Sequence, residues 1–241
     1  VCLLLAVNSW AQADTINTQT GKLKTAALQE GQASYVVFFT DSAGNRTSSA
    51  DIWDRSVGFG KTADGQKTYQ FHWKAYRKDS LMMDVAATGL LANMQPLTHS
   101  GTYPTLKRSL SVVWNNGVVT VPEDQRHTAK DSAFRVVMEH PAFEFPMDLE
   151  LFALLPFKKT GQQFAMAFYE PGSAASAYYP LTVTGKEDLL LAGGEKASCW
   201  LLRIDYKPNA YATFWIADKT RQVLKMKEYF NGRYRYKVRL Y

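Results

Sequence analysis

A chain of 241 residues with 46% hydrophobic content can bury a core as one globular domain. Two cysteines, one of them in the N-terminal apolar run, exclude a disulfide framework. The formal net charge of +6 suits anionic partners and says nothing about fold.

The first thirteen residues read as the remnant of an export signal. Residues 2–7 are apolar, residues 8–12 are more polar, and Ala11-Gln12-Ala13 has the small-x-small form that signal peptidase cuts. The run is too short to span a bilayer, and Val1 before Cys2 argues against a lipoprotein. The mature chain is expected to start at Asp14 and to form a single domain over residues 14–241. It is expected to be exported.

Residues 14–30 are polar, lack a period and read as a tail or lead-in. Residues 34–40 (SYVVFFT) form the first strand, followed by a turn at residues 41–45. Residues 68–77 and 81–87 make a hairpin around Lys78-Asp79-Ser80. Residues 108–114 and 118–121 make another, turning at Asn115-Asn116-Gly117. The charged stretch 123–132 reads as a surface loop and 134–139 as a short strand. No repeat or domain linker interrupts the chain.

One helix is well signalled. Asp148 is placed to cap residues 149–155, with Pro146 just before and Pro156 just after. Glu150 is its one charged residue, so the helix is apolar nearly all round and is expected to be buried.

The C-terminal stretch reads as four antiparallel strands, residues 199–206, 211–217, 222–228 and 233–241. The turn-rich connections between them are too short for parallel crossovers. Strand alternation puts Trp200, Leu202, Ile204 and Tyr206 on one face. A four-residue first turn adds Tyr211, Thr213 and Trp215, and the next strand adds Leu224 and Met226. At the last hairpin, Asn231-Gly232 as a two-residue turn brings Arg233, Arg235, Lys237 and Arg239 to that face. A three-residue loop 230–232 with a bulge brings Tyr234, Tyr236, Val238 and Leu240 instead. Hydrophobic pattern favours the bulged loop.

The fold class that follows is mainly β, a curved antiparallel sheet or half-barrel wrapped around a short buried helix. Trp200, Tyr206, Tyr211, Trp215, Tyr234 and Tyr236 on the sheet, with Phe152 from the helix, become candidates to line a ligand cavity. Six rings carrying polar tips are more than a dry core usually takes, though a filled core is the other reading. Lys225, Lys227, Arg233, Arg235, Lys237 and Arg239 are expected together on the outer face. They could meet anionic headgroups of a membrane surface, or they could be a solvated outer face that resists aggregation.

Three stretches carry a family resemblance. They are the lead-in strand Glu30-Gly31-Gln32-Ala33-Ser34-Tyr35, the Asp148 helix with Leu155-Pro156-Phe157-Lys158-Lys159-Thr160-Gly161-Gln162, and the run Thr213-Phe214-Trp215-Ile216-Ala217-Asp218 leading to Val223-Leu224-Lys225-Met226. Together they resemble domain-of-unknown-function family 3108, exported bacterial proteins with a fold similar to the lipoprotein carriers LolA and LolB. The resemblance implies a place in the periplasm or cell envelope of a Gram-negative bacterium and a concave apolar surface, which holds acyl chains in those carriers, and it implies no catalytic residues.

No chemical signature stands out. Gly58-Phe59-Gly60-Lys61-Thr62 lacks the first glycine of a phosphate-binding loop, since Arg55 stands there, and reads as an ordinary loop. His72, His99, His127 and His140 are scattered without metal-ligand spacing. No Gly-x-Ser-x-Gly elbow is present, and Cys199 beside Trp200 and Leu201 reads as a buried thiol. The expectation is therefore a non-catalytic binder of an apolar or amphipathic, lipid-like ligand, without cofactor, metal or nucleic-acid partner. The alternatives are a structural or interaction module of the envelope with a filled core, and then a hydrolase.

Overall fold

The structure is a computed structural model that describes residues 13–240. The signal-remnant reading falls on residues 1–13 and so lies almost wholly outside the described part.

The elements run β1 (Asp14–Ile16), β2 (Gly31–Thr40), β3 (Asp51–Lys61), β4 (Lys67–Arg77), β5 (Ser80–Leu90), β6 (Gln95–Tyr103), β7 (Arg108–Asn115) and β8 (Val118–Thr120). Then come α1 (Ala129–Ala133), β9 (Arg135–Val137), β10 (Phe143–Glu144) and α2 (Asp148–Ala153). The second half is β11 (Gln163–Tyr169), β12 (Ala177–Leu190), β13 (Lys196–Lys207), β14 (Ala210–Ala217), β15 (Val223–Phe230) and β16 (Arg233–Arg239).

All the strands belong to one sheet of two meanders, β2 to β9 and β11 to β16, joined where β16 pairs antiparallel with β2. Among the described residues the outermost strands share no ladder. Instead Val112, Val119 and Val136 from one end of the sheet pack against Ala167 and Tyr169 from the other. Side chains, rather than backbone hydrogen bonds, draw the curled sheet together around α2.

The helix is buried as its composition requires. Leu151, Phe152, Leu154 and Leu155 are at most 1% exposed, each contributing about 1.5–3 kcal/mol. Asp148 is the first helical residue rather than the cap: its Oδ1 accepts from the Leu149 N–H at 2.8 Å, and the preceding Met147 makes no side-chain cap. At the other end Arg221 donates to the carbonyls of Ala153 (2.9 Å) and Leu155. These carbonyls have no intrahelical partner, so Arg221→Ala should lower the unfolding free energy by about 1.5–3 kcal/mol, read by urea titration.

Several expectations are corrected. Residues 14–30 are not a tail, because β1 pairs parallel with β11 and Ile16 is fully buried. Gly58–Lys61 is not a loop but the end of strand β3. The charged stretch after Val121 contains α1, held by a capping box between Thr128 and Asp131.

The C-terminal meander is present with two register corrections. The β13–β14 turn is the two-residue Pro208-Asn209, with a bulge between Asp205 and Lys207 and Asn209 at φ 63°. Leu202 therefore faces Phe214, and Ile204 faces Ala212. Tyr211, Thr213 and Trp215 point outward instead. The β15–β16 turn is Asn231-Gly232 with φ of 50° and 74°, and Phe230 pairs with Arg233. Two positive φ values suit a type I′ turn, whose twist matches the strands. Hydrophobic pattern loses here because the inner face at this level is charged, as the acids described below show.

The outward aromatic residues are not bare. Lys225 lies 4.5 Å over the Trp215 ring, Lys227 4.3 Å over Tyr234, and Arg203 3.8 Å over Tyr211. Phe38 stacks on Tyr236 at 5.0 Å.

Candidate functional site: a charged, aromatic-walled cleft

Two cations enter the half-barrel beside α2. Arg55 on β3 is 2% exposed and is bound through Nε and Nη2, while its Nη1 has no hydrogen-bond partner among the described residues. Its Nε and Nη2 donate to the two Glu150 oxygens at 3.0 and 2.5 Å, and Nη2 also donates to the Pro146 carbonyl at 2.8 Å. The guanidinium lies 4.8 Å over Phe71 and 4.9 Å over Trp73.

Lys237 on β16 is 4% exposed and is much less satisfied. Its ammonium reaches one acceptor, Asp148 Oδ2, at 3.4 Å, and lies 4.7 Å over the Trp53 ring. An ammonium carries three donors, so two lack a partner among the described residues. Desolvation lowers its pKa from 10.5 to about 8, against the pull of Asp148. One step along the strand, Arg235 faces Glu228 across the ladder, at 2.5 Å between Nε and Oε2.

These groups line a cleft of about 360 Å³ with aromatic walls from Trp53, Trp73, Phe145 and Tyr206. Asp148, Glu170, Glu228, Arg235 and Lys237 supply its polar lining. Glu170 is reached by solvent within the cleft, yet desolvation by the surrounding protein raises its pKa to about 7. Neither its carboxyl nor the buried Trp73 Nε1 has a hydrogen-bond partner among the described residues. Tyr206 is held neutral by desolvation, its pKa well above 10.0. The cleft thus combines apolar walls with both charge signs and several unmet polar groups.

A second buried pair lies nearby. His99 Nδ1 and Glu144 Oε1 are 2.5 Å apart, and the far atoms of both side chains, Nε2 and Oε2, have no partner among the described residues. Desolvation raises the Glu144 pKa while His99 opposes it. His72 pairs with Asp84 at 2.6 Å on a half-exposed surface. Neither histidine bonds a hydroxyl or thiol among the described residues, and no cluster of metal-binding side chains occurs among them. Cys199 is buried, its thiol pushed up to about 11 by desolvation.

The family model described as a protein of unknown function, DUF3108, matches residues 55–239, most of the chain. The chain belongs to the DUF3108 family. No curated protein matches it. Among solved structures, the DUF3108 chain is similar to a β-barrel-like protein of domain of unknown function DUF1849 from Brucella abortus, at 10% identity. That match covers 87% of this chain and 95% of the other, with a TM-score of 0.48. It is also similar to a DUF1329 family protein from Desulfovibrio piger at 7% identity, covering 89% and 86%, with a TM-score of 0.30.

The DUF3108 fold separates both residue sets that the sequence had grouped. Of the aromatic set, Trp200, Tyr206 and Phe152 lie inside, whereas Tyr211, Trp215, Tyr234 and Tyr236 lie on the outer face. Of the basic set, Lys225 and Lys227 are outside, whereas Arg233, Arg235, Lys237 and Arg239 have the inward phase. On one side of α2 the expected space to the sheet is filled by Phe152, whose ring is 4.8 Å from Phe214 and 5.9 Å from Phe168. A small cavity of about 130 Å³ remains between Leu149, Ala153 and Leu154 and the sheet residues Tyr35, Val57 and Val223. Trp53, Trp73 and Glu170 were not anticipated. The alternation Trp53-x-Arg55 on a strand was the available signal, since it puts a ring and a cation on one face.

Proposed function

We propose that this protein is a non-catalytic binder of an amphipathic molecule, exported to the bacterial envelope, and that the ligand's polar head enters the Lys237 cleft. The observation that carries this reading is Lys237 itself, a buried cation with one distant acceptor in an aromatic-walled recess. Burial of an incompletely paired charge is costly, and a ligand acceptor would recover part of that cost. Glu170 offers the opposite charge in the same cleft, so a zwitterionic head fits better than a purely anionic one. The aromatic walls would take the first part of the apolar tail.

Lysophosphatidylethanolamine with a twelve-carbon chain, titrated below its micelle concentration, tests the proposal by calorimetry. Binding should weaken at least tenfold in Lys237→Met and in Glu170→Gln, and a monoacylglycerol of equal chain length should bind more weakly. Equal binding by all three proteins would remove the cleft from consideration. Saturation by no amphiphile would leave the interaction-module reading, which the closely packed α2 core favours.

A further inference from the structure

The β12–β13 hairpin outruns its neighbours. The β13–β14 ladder ends at Cys199 opposite Ala217, but β12 and β13 stay paired through Leu189 and Ala197 to Leu190 and Lys196. On the other edge, β12 leaves β11 at Thr182. The tip is therefore a two-stranded ribbon, an arrangement that is marginal in water unless it packs on something. Its sequence is nevertheless Leu189-Leu190-Leu191, and Leu190 is 66% exposed.

A groove of about 600 Å³ lies between this ribbon and the ends of β14, β15 and β16, within the roughly 300–1,000 Å³ span of small-molecule pockets. The three leucines line one side, and Ala217, Leu224 and Val238 line the other. Leu224 is displaced from the ladder by a bulge, because Trp215 pairs with Lys225 and Ile216 with Val223. Four cations, Lys196, Lys219, Lys225 and Arg239, border the groove against two acids, Asp188 and Glu195. Lys196, Lys219 and Lys225 form no salt bridge among the described residues.

We propose that this groove is a second binding site, for a single-chain anionic amphiphile. The alkyl chain lies between the leucine ribbon and Leu224 and Val238, and the anionic head meets the lysines. The apolar walls select the chain, and the excess of cations selects the sign of the head. The Lys237 cleft shares no lining residue with the groove: Lys237 and Val238 are neighbours on β16 but point to opposite faces of the sheet. The two sites therefore load independently.

Leucine and valine methyl groups labelled with ¹³C report the site directly. Dodecanoate below its micelle concentration should shift the methyls of Leu189, Leu190, Leu191, Leu224 and Val238 saturably. Each buried methylene strengthens binding about fourfold, so dodecanoate, with two more methylenes, should bind roughly fifteenfold more tightly than decanoate. Dodecyltrimethylammonium should bind at least tenfold more weakly than dodecanoate. Leu190→Asp, a change at an exposed position, and Lys219→Glu with Lys225→Glu should each cost at least tenfold, while Lys237→Met leaves dodecanoate binding unchanged. Equal affinity for the cationic detergent would overturn the proposal. So would loss of dodecanoate binding in Lys237→Met but not in Leu190→Asp, which would place that chain in the cleft. Leu190-dependent cosedimentation with anionic vesicles, without any binding of monomeric dodecanoate, would make the ribbon a bilayer contact and also overturn it.

Discussion

Replacing Arg55 by methionine should lower the unfolding free energy by about 3–5 kcal/mol, the cost of breaking one side of a buried ion pair. Arg55 ties three segments together: β3, the Pro146 carbonyl before α2, and Glu150 within α2. Without it Glu150 and Asp148 lose their shared cation, and the faces of Phe71 and Trp73 lose theirs. For a chain of this length the loss corresponds to a fall in Tm of roughly 6–20 °C. The methionine keeps much of the volume, so the loss would report charge rather than a cavity. The double variant Arg55→Met with Glu150→Leu should recover a large part of it, because removing both charges also removes the stranded carboxylate. Urea titration followed by circular dichroism reads both variants. A single variant within 1 kcal/mol of the parent protein would mean the ion pair does not hold the helix.

The contrast between local and non-local determinants explains what could be read from the sequence. The four C-terminal strands were legible because turn formers punctuate the alternation, and the buried helix because it carries so little charge. The family was legible from the order of those elements. Register was not. In Arg233-Tyr234-Arg235-Tyr236-Lys237 the two faces differ in type, and a burial rule sends the tyrosines inward. The chain does the opposite because Glu228 waits across the ladder and Asp148 arrives from a helix 89 residues away. The Asn231-Gly232 dipeptide was the better guide, since its backbone preference is local and independent of what lies inside. A bulge beside Tyr206 likewise reversed the neighbouring strand, and nothing in Lys207-Pro208-Asn209-Ala210 separates a four-residue loop from a two-residue turn with a bulge. β3 was missed because Gly58, Gly60 and its charges resemble a loop. Arg55 and Asp54 make sense in a strand only once their partners are known.

Lys237 should behave opposite to Arg55: replacing it with methionine should stabilise the protein at neutral pH. The folded pKa of about 8 lies below the ordinary lysine value of 10.5, so the folded state disfavours the charged ammonium. Between those values the unfolded chain binds more protons than the folded one, and stability contributed by this group rises with pH. Below about pH 8 the full penalty applies, on the order of 3 kcal/mol from the size of the shift. Lys237→Met removes it, which should raise Tm at pH 7 by roughly 6–12 °C. The advantage should shrink from pH 8 upward and vanish near pH 10.5, where the lysine is neutral in both states. Asp148 loses an acceptor role in the variant but keeps the Leu149 N–H at 2.8 Å and Arg55 at 3.8 Å. Thermal unfolding of the two proteins across pH 6–10.5 reads the difference. A variant less stable than the parent at pH 7 would show that the Asp148 contact outweighs desolvation. A stabilised variant that also loses lysophosphatidylethanolamine would show stability and binding opposed at one side chain, as expected where a site is held ready for a partner.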